Sequence, residues 1–267
     1  MKKLQPILLT LICLSVCVSS IDAQRRNRNA ATQVQTTPDL AIFNNISIRN
    51  IVPAKTSGRV TQVAVNPENR SIRYASIASG GVWKTVNAGT TWTPIFDKQK
   101  SYSIGTIVID PNNVNVLWVG SGENNSQRSV GFGDGVYKST DAGKTWKNVG
   151  LPTSEHIGKI VINPQNSDEV YIAAQGPLWR EGGERGLYKT TDGGATWNRI
   201  LHVSDNTGIS DVVMDPRNPN VLYASSFQRR RHFGILVAGG PESAVYKSTD
   251  AGINWRKLRN GLPGGDL

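Results

Sequence analysis

The stretch "STDAGKTW", Ser139 to Trp146, returns almost letter for letter as "TTDGGATW", Thr190 to Trp197, and "STDAGINW", Ser248 to Trp255. A worn copy, "TVNAGTTW", runs from Thr85 to Trp92. A short, polar, Gly-centred phrase written four times is the mark of a repeat architecture, and the spacing of the copies defines the unit. The final Trp residues stand 54, 51 and 58 positions apart. Nine residues before each is an aromatic (Trp83, Tyr137, Tyr188, Tyr246), followed each time by Lys. Further upstream an alternating apolar run closes on Pro: "VTQVAVNP" at Pro67, "GTIVIDP" at Pro111, "GKIVINP" at Pro164 and "SDVVMDP" at Pro216. Seven residues after each Pro comes Tyr74, Trp118, Tyr171 or Tyr223.

Alternating β-branched and aromatic residues between Gly, Pro and Asn turns predict four short strands per unit, A to D, with the repeated phrase as the C–D turn. No amphipathic helix is legible after the first 23 residues. Four-stranded units of this length predict an all-β propeller of four-stranded antiparallel blades. The blades are expected over 52–98, 99–151, 152–203 and 204–260, within a propeller region 41–267, and residues 261–267 read as the beginning of a fifth. A propeller needs a full ring, and four units with the beginning of a fifth lead to the expectation of an incomplete ring with further blades in a longer chain; a complete chain would form a four-bladed ring or leave an open edge. Ile46 to Ile51 is a candidate ring-closing strand.

The pattern S/T-x-D-x-G-x-T-W resembles the Asp-box, or bacterial neuraminidase repeat, of sialidases, sortilin N-terminal domains and xyloglucanase-type glycoside hydrolases. Exported bacterial proteins of the sortilin-like, "glycosyl hydrolase" repeat kind also share wording such as "SGGVWKT", "GENNSQRSV" and "QRRRHF". The resemblance implies a bacterial, exported chain: periplasmic, outer-surface or secreted. Two boxes depart from the pattern, with Asn87 for Asp and Asn254 for Thr.

The box reads as a structural turn. Asp141, Asp192 and Asp250, and Asn87 in the first copy, accept hydrogen bonds from their own backbone. Gly89, Gly143, Gly194 and Gly252 supply backbone angles other residues resist. Trp92, Trp146, Trp197 and Trp255 are expected to bury their rings between neighbouring sheets. Carboxylates placed one per blade stand too far apart to share an ion or a substrate.

Unit length varies in one place only. From the B aromatic to the C aromatic the gap is 9, 19, 17 and 23 residues, whereas the other gaps are constant to within one. In a propeller the B–C and D–A loops share one face, opposite the boxes. Three successive units therefore place inserts there, and loops on a rigid scaffold carry function. These inserts hold the ligand-binding candidates Glu123, Asn124, Arg128, Trp179, Arg229, Arg230, Arg231 and His232. Trp179 is read as a staple for its own loop or as a sugar-stacking platform, the Arg run as a pairing set for Glu and carbonyls or as an anion clamp. The arginines are expected to converge with Glu123 and Glu242.

Two functions stay open. One is a scaffold that binds a protein, peptide or glycan on the insert face. The other is a glycoside hydrolase, which needs two carboxylates flanking one bond; Glu123, Asp134 and Glu242 are its candidates. The three His residues have no partners at metal-ligand spacing, so no metal and no cofactor is expected.

The bulk numbers set the remaining bounds. Residues 1–23 read as a secretory signal peptide, with Lys2 and Lys3 before the apolar run Leu8 to Val18 and small Ala23 at the cut. Residues 24–40 read as a disordered linker. Both cysteines, Cys13 and Cys17, lie in the signal, so the remainder has no disulfide. The net charge of +10 falls to +7 beyond residue 40, where 25 basic and 18 acidic residues intersperse. That excess is no nucleic-acid footprint, and no membrane span is expected once the signal is removed.

Overall fold

A computed structural model describes residues 58–125 and 130–259. The signal peptide, the linker, Ile46 to Ile51, Arg128 and the start of the expected fifth blade lie outside the described residues. The described chain forms one compact unit with four antiparallel sheets and no helix, and so no helix long and apolar enough to cross a membrane.

Each sheet is one sequence repeat. The first holds β1 (Val60–Val65), β2 (Arg73–Ile77), β3 (Gly81–Thr85) and β4 (Thr93–Pro94) in that order. The second holds β5 (Ile104–Asp110), β6 (Asn113–Ser121), β7 (Val136–Ser139) and β8 (Lys147–Gly150). The third holds β9 (Ile157–Asn163), β10 (Asn166–Ala174), β11 (Gly186–Thr190) and β12 (Asn198–Leu201). The fourth holds β13 (Thr207–Asp215), β14 (Asn218–His232), β16 (Ala244–Ser248) and β17 (Arg256–Lys257), with β15 (Ile235–Ala238) paired to the far end of β14. The A strands β1, β5, β9 and β13 pack in succession, which makes them the inner strands of propeller blades.

The core sits between blades. Tyr74, Val119, Tyr137 and Phe96 pack between the first and second, Trp118, Ile160 and Ile172 between the second and third, and Tyr171, Leu187 and Ile209 between the third and fourth. The deepest aromatics are those of the B strands: Tyr74, Trp118 and Tyr171 are fully buried. The box tryptophans are not. Trp146, Trp197 and Trp255 are half-buried and Trp92 is exposed. Their polar edge explains this, because a ring on the blade rim can reach a carbonyl of the preceding blade: Trp146 Nε1–H donates to Ile95 O and Trp197 Nε1–H to Val149 O, both at 2.8 Å.

Within each box the hydroxyl before the Asp is as central as the Asp. Ser139 Oγ accepts the Gly143 N–H at 2.9 Å and donates to Asp141 Oδ1 at 2.8 Å. Asp141 accepts the Thr145 N–H at 2.8 Å and its hydroxyl at 2.6 Å. These bonds hold the Asp141 carboxyl down at about 2, with the Thr145 hydroxyl the largest cause. Thr190 and Asp192 repeat the arrangement, as do Ser248 and Asp250. Asn254 replaces the Thr hydroxyl by its amide, which donates to Asp250 Oδ2 at 2.8 Å. In the worn first box the direction reverses, and Asn87 Nδ2 donates to Thr91 Oγ1 at 2.9 Å.

The Lys after each C-strand aromatic ties one blade to the next. Lys84, Lys138 and Lys189 lie over the rings of Tyr74, Trp118 and Tyr171 at 5.4, 4.6 and 5.1 Å. Their Nζ groups donate to Ala142 O, Gly193 O and Ala251 O, the carbonyl after the Asp in the following box, at 3.0, 2.9 and 3.2 Å. That box residue has positive φ in every copy, 59° at Ala142 and 67° at Gly193, so the same left-handed turn recurs at each box.

Candidate functional site

All three inserts lie on the face opposite the boxes and interlock. The fourth is not a loop. β14 runs on through Arg229, Arg230 and Arg231 to His232 and turns back as β15, in register Arg229↔Ala238 to His232↔Ile235. The run "SSFQRRRHFGILVA" reverses at Gly234 (φ 79°), where glycine takes the left-handed turn position without strain.

The innermost strand of each blade carries a bulge near this face. The register skips Thr61, Gly105, Gly158 and Ser210. A Cβ at Gly158 would run into the Asn124 amide and Ser210 O, so that glycine makes room for Asn124 to cross. Asn124 Nδ2 then donates to Ser210 O at 3.3 Å, linking the second blade's insert to the fourth blade. Arg229 makes a second such link, to the carbonyl of Asn125.

Glu123 sits beneath this crossing, buried, with its carboxylate on Arg59 and on Asn125 Nδ2 at 3.1 Å. The buried His156 ring meets Glu123 O at 2.7 Å through Nδ1; a carbonyl only accepts, so Nδ1 carries the proton. Burial first, then the nearby Arg229 and Arg185 guanidiniums, lower His156 to about 3, so the imidazole is neutral.

The arginines chiefly bind carbonyls. Arg185, fully buried, donates to Gly182 O at 3.0 Å, Gln175 O at 2.7 Å, Arg180 O at 3.0 Å and Pro177 O. Arg230 reaches Leu178 O at 3.3 Å and the Asn206 side chain. Burial is the main cause lowering Arg185 and Arg229 to about 10. Arg229 and Arg230 bond to backbone carbonyls and to Asn206, while the Glu242 carboxylate takes hydroxyls from Ser204 (2.6 Å) and Thr207, which lower its pKa. Asp134 is likewise occupied, by the hydroxyls of Tyr137 at 2.7 Å and Ser121 at 3.3 Å. The three carboxylate candidates are therefore each held by their own partners. Among the described residues no group of three His, Cys, Asp or Glu is placed to hold a metal ion.

Above this polar floor stand exposed aromatics. Trp179 and Phe233 are exposed on neighbouring inserts, since Leu178 O accepts the Arg231 N–H at 2.8 Å. Phe132 and Tyr102 form a second exposed pair: Ser101 Oγ donates to Phe132 O at 3.4 Å and Ser103 Oγ to Gly131 O at 2.9 Å. His232 is exposed at the ribbon's tip. Arg59, His156, Asn206 and the Ser101–Ser103 pair were not singled out by sequence, because they lie in D–A connections or before the first strand, where the repeat shows no length change.

Four sheets, inner A strands and a box at every C–D turn decide the architecture. The chain is an Asp-box β-propeller. Residues 134–263 match the family model Sortilin-Vps10, described as sortilin, neurotensin receptor 3. The propeller is similar to a xyloglucanase of Paenibacillus sp, 26% identical over 82% of this chain and 23% of the relative. It is similar also to a xyloglucanase of Hypocrea jecorina, 28% identical over 78% of this chain and 26% of the relative. Among solved structures, an ancestral GH74 enzyme superposes with a TM-score of 0.62 at 23% identity, covering 79% of this chain and 27% of that one. The propeller thus spans about a quarter of the length of the curated relatives it matches.

Proposed function

We propose that the chain is an exported propeller scaffold that binds a glycan on its insert face. The observation that carries this is the placement of Tyr102, Phe132, Trp179 and Phe233, four exposed aromatic rings, on one face above a floor of buried polar groups. Exposed apolar surface of that kind marks a ligand site, and flat rings suit the apolar faces of pyranose sugars. The similarity to xyloglucanases supports a glycan over a peptide as ligand. Binding to soluble xyloglucan and other plant and host glycans, read by affinity electrophoresis, tests the proposal. Trp179→Ala and Phe233→Ala are expected to weaken retention about tenfold each. Unchanged retention in the double variant would remove the aromatic face from the reading.

A second reading, hydrolysis, is favoured by the same relatives. Against it stand the occupied carboxylates: a general acid needs a raised pKa, and Glu242 moves the other way. Reducing-sugar release that is lost in Glu123→Gln or Glu242→Gln would favour hydrolysis over binding alone.

A further inference from the structure

The backbone that carries Trp179 is held by two guanidiniums from different inserts. Arg185 fills the centre of the third insert, fully buried, and all four carbonyls it serves belong to that insert: Gln175 O, Pro177 O, Arg180 O and Gly182 O. Gly176 admits the arginine stem, since its φ is 77° and an added Cβ would meet Arg185 Cγ. Arg230 comes from the ribbon of the fourth insert. Its Nε donates to Leu178 O at 3.3 Å, and its other end is fixed on the Asn206 side chain. The Arg231 N–H reaches the same Leu178 O at 2.8 Å. The carbonyls of residues 177, 178 and 180, on both sides of Trp179, are thus all engaged, and the Leu178 side chain is buried. The indole stands 63% exposed on that anchored backbone.

Two physical consequences follow from this arrangement. A binding loop that orders only on contact gives up about 1–2 kcal/mol per residue fixed, which is subtracted from affinity. Here the order is already present without ligand. The side chain type also matters. A guanidinium spreads five N–H donors over one rigid plane and can serve four separated carbonyls, whereas an ammonium is a single point with three.

We infer that Arg185 and Arg230 are positioning residues of the ligand face. Both are buried and neither touches the glycan; they hold the Trp179 ring in place before ligand arrives, so affinity depends on them through Trp179. The binding arm of the test rests on the glycan reading of this face, and a second arm needs no ligand.

The first arm is affinity electrophoresis in soluble xyloglucan. Arg185→Lys keeps the charge and loses the planar fork, and it should weaken retention about tenfold, as Trp179→Ala does. In a Trp179→Ala background the same substitution should add about twofold at most, because the two act as one unit. In a Phe132→Ala background its full effect should persist. The second arm is time-resolved fluorescence anisotropy of Trp179, isolated as wild type minus Trp179→Phe. The fast-decaying fraction should at least double in Arg185→Lys. Arg230→Lys is expected to act in the same direction in both arms, and it decides the matter where Arg185→Lys does not fold. A loss of retention equally large with and without Trp179 overturns the inference, because it marks a general structural role. Unchanged Trp179 anisotropy in the variant also overturns it. A wild type that is not retained removes the glycan reading and leaves the anisotropy to decide positioning by itself.

Discussion

Lowering the pH from 7 should unfold the propeller through His156 before its carboxylates are fully protonated. In the folded state the ring is buried, gives its Nδ1 proton to Glu123 O at 2.7 Å, and faces Arg229 and Arg185, so a second proton has neither solvent nor a counter-charge. Its pKa falls from 6.5 to about 3. Unfolded, the imidazole titrates near 6.5, so between 6.5 and 3 the unfolded chain binds the extra proton. The stability this group leaves intact above pH 6.5 is therefore lost as the pH falls, by about 1.4 kcal/mol per unit. The full window of about 3.5 units gives a loss of roughly 4 to 5 kcal/mol, a large part of a domain's net stability. Urea unfolding at pH 7, 6, 5 and 4 measures it, with His156→Gln as the reference, since an uncharged side chain removes this proton and leaves the others. The wild type should lose about 2 to 3 kcal/mol more than the variant between pH 6.5 and 4.5. A wild-type-minus-variant difference that stays flat from pH 7 to 4 would refute the buried neutral imidazole.

Ser139→Ala should cost about 1–3 kcal/mol by chemical denaturation, because the buried hydroxyl accepts the Gly143 N–H while donating to Asp141. Lys138→Met should cost about 1–2 kcal/mol, from loss of the bond to Gly193 O and the contact with the Trp118 ring, and the loss should persist in 1 M salt because the acceptor is a carbonyl. Gly122→Ala should prevent folding or cost more than about 3 kcal/mol, read by the soluble yield and melting temperature, since φ is 85° and the added methyl meets Glu155 O.

The blade architecture was legible because it is periodic. Box, Pro turn and aromatic recur at fixed distances, and each recurrence fell on the strand or turn assigned to it. The shared face of the inserts was legible for the same reason, since a length change confined to B–C gaps has only one side to appear on. What periodicity hides is any contact between unlike parts. Arg59 lies before the first strand and meets Glu123 through the tertiary fold. The Lys after each aromatic was visible as a repeat, yet its acceptor belongs to the next unit, roughly 55 to 62 residues on. Arg229 and Arg230 read as a pairing set for Glu and carbonyls or as an anion clamp, and nothing in the run tells which carbonyls: Asn125 O and Leu178 O belong to other inserts.

Asn124 and Asn125 step across the third blade to hold the fourth. A stack of repeats coupled only to nearest neighbours can fray one unit at a time from either end. Two ties that skip a unit remove that freedom, because the third blade cannot open without releasing the second from the fourth. Amide hydrogen exchange should then report two free energies of opening. Among the described residues the first blade is joined through one junction and the Arg59–Glu123 pair, so within this stretch it exchanges early, and the other three protect their innermost strands as a single block.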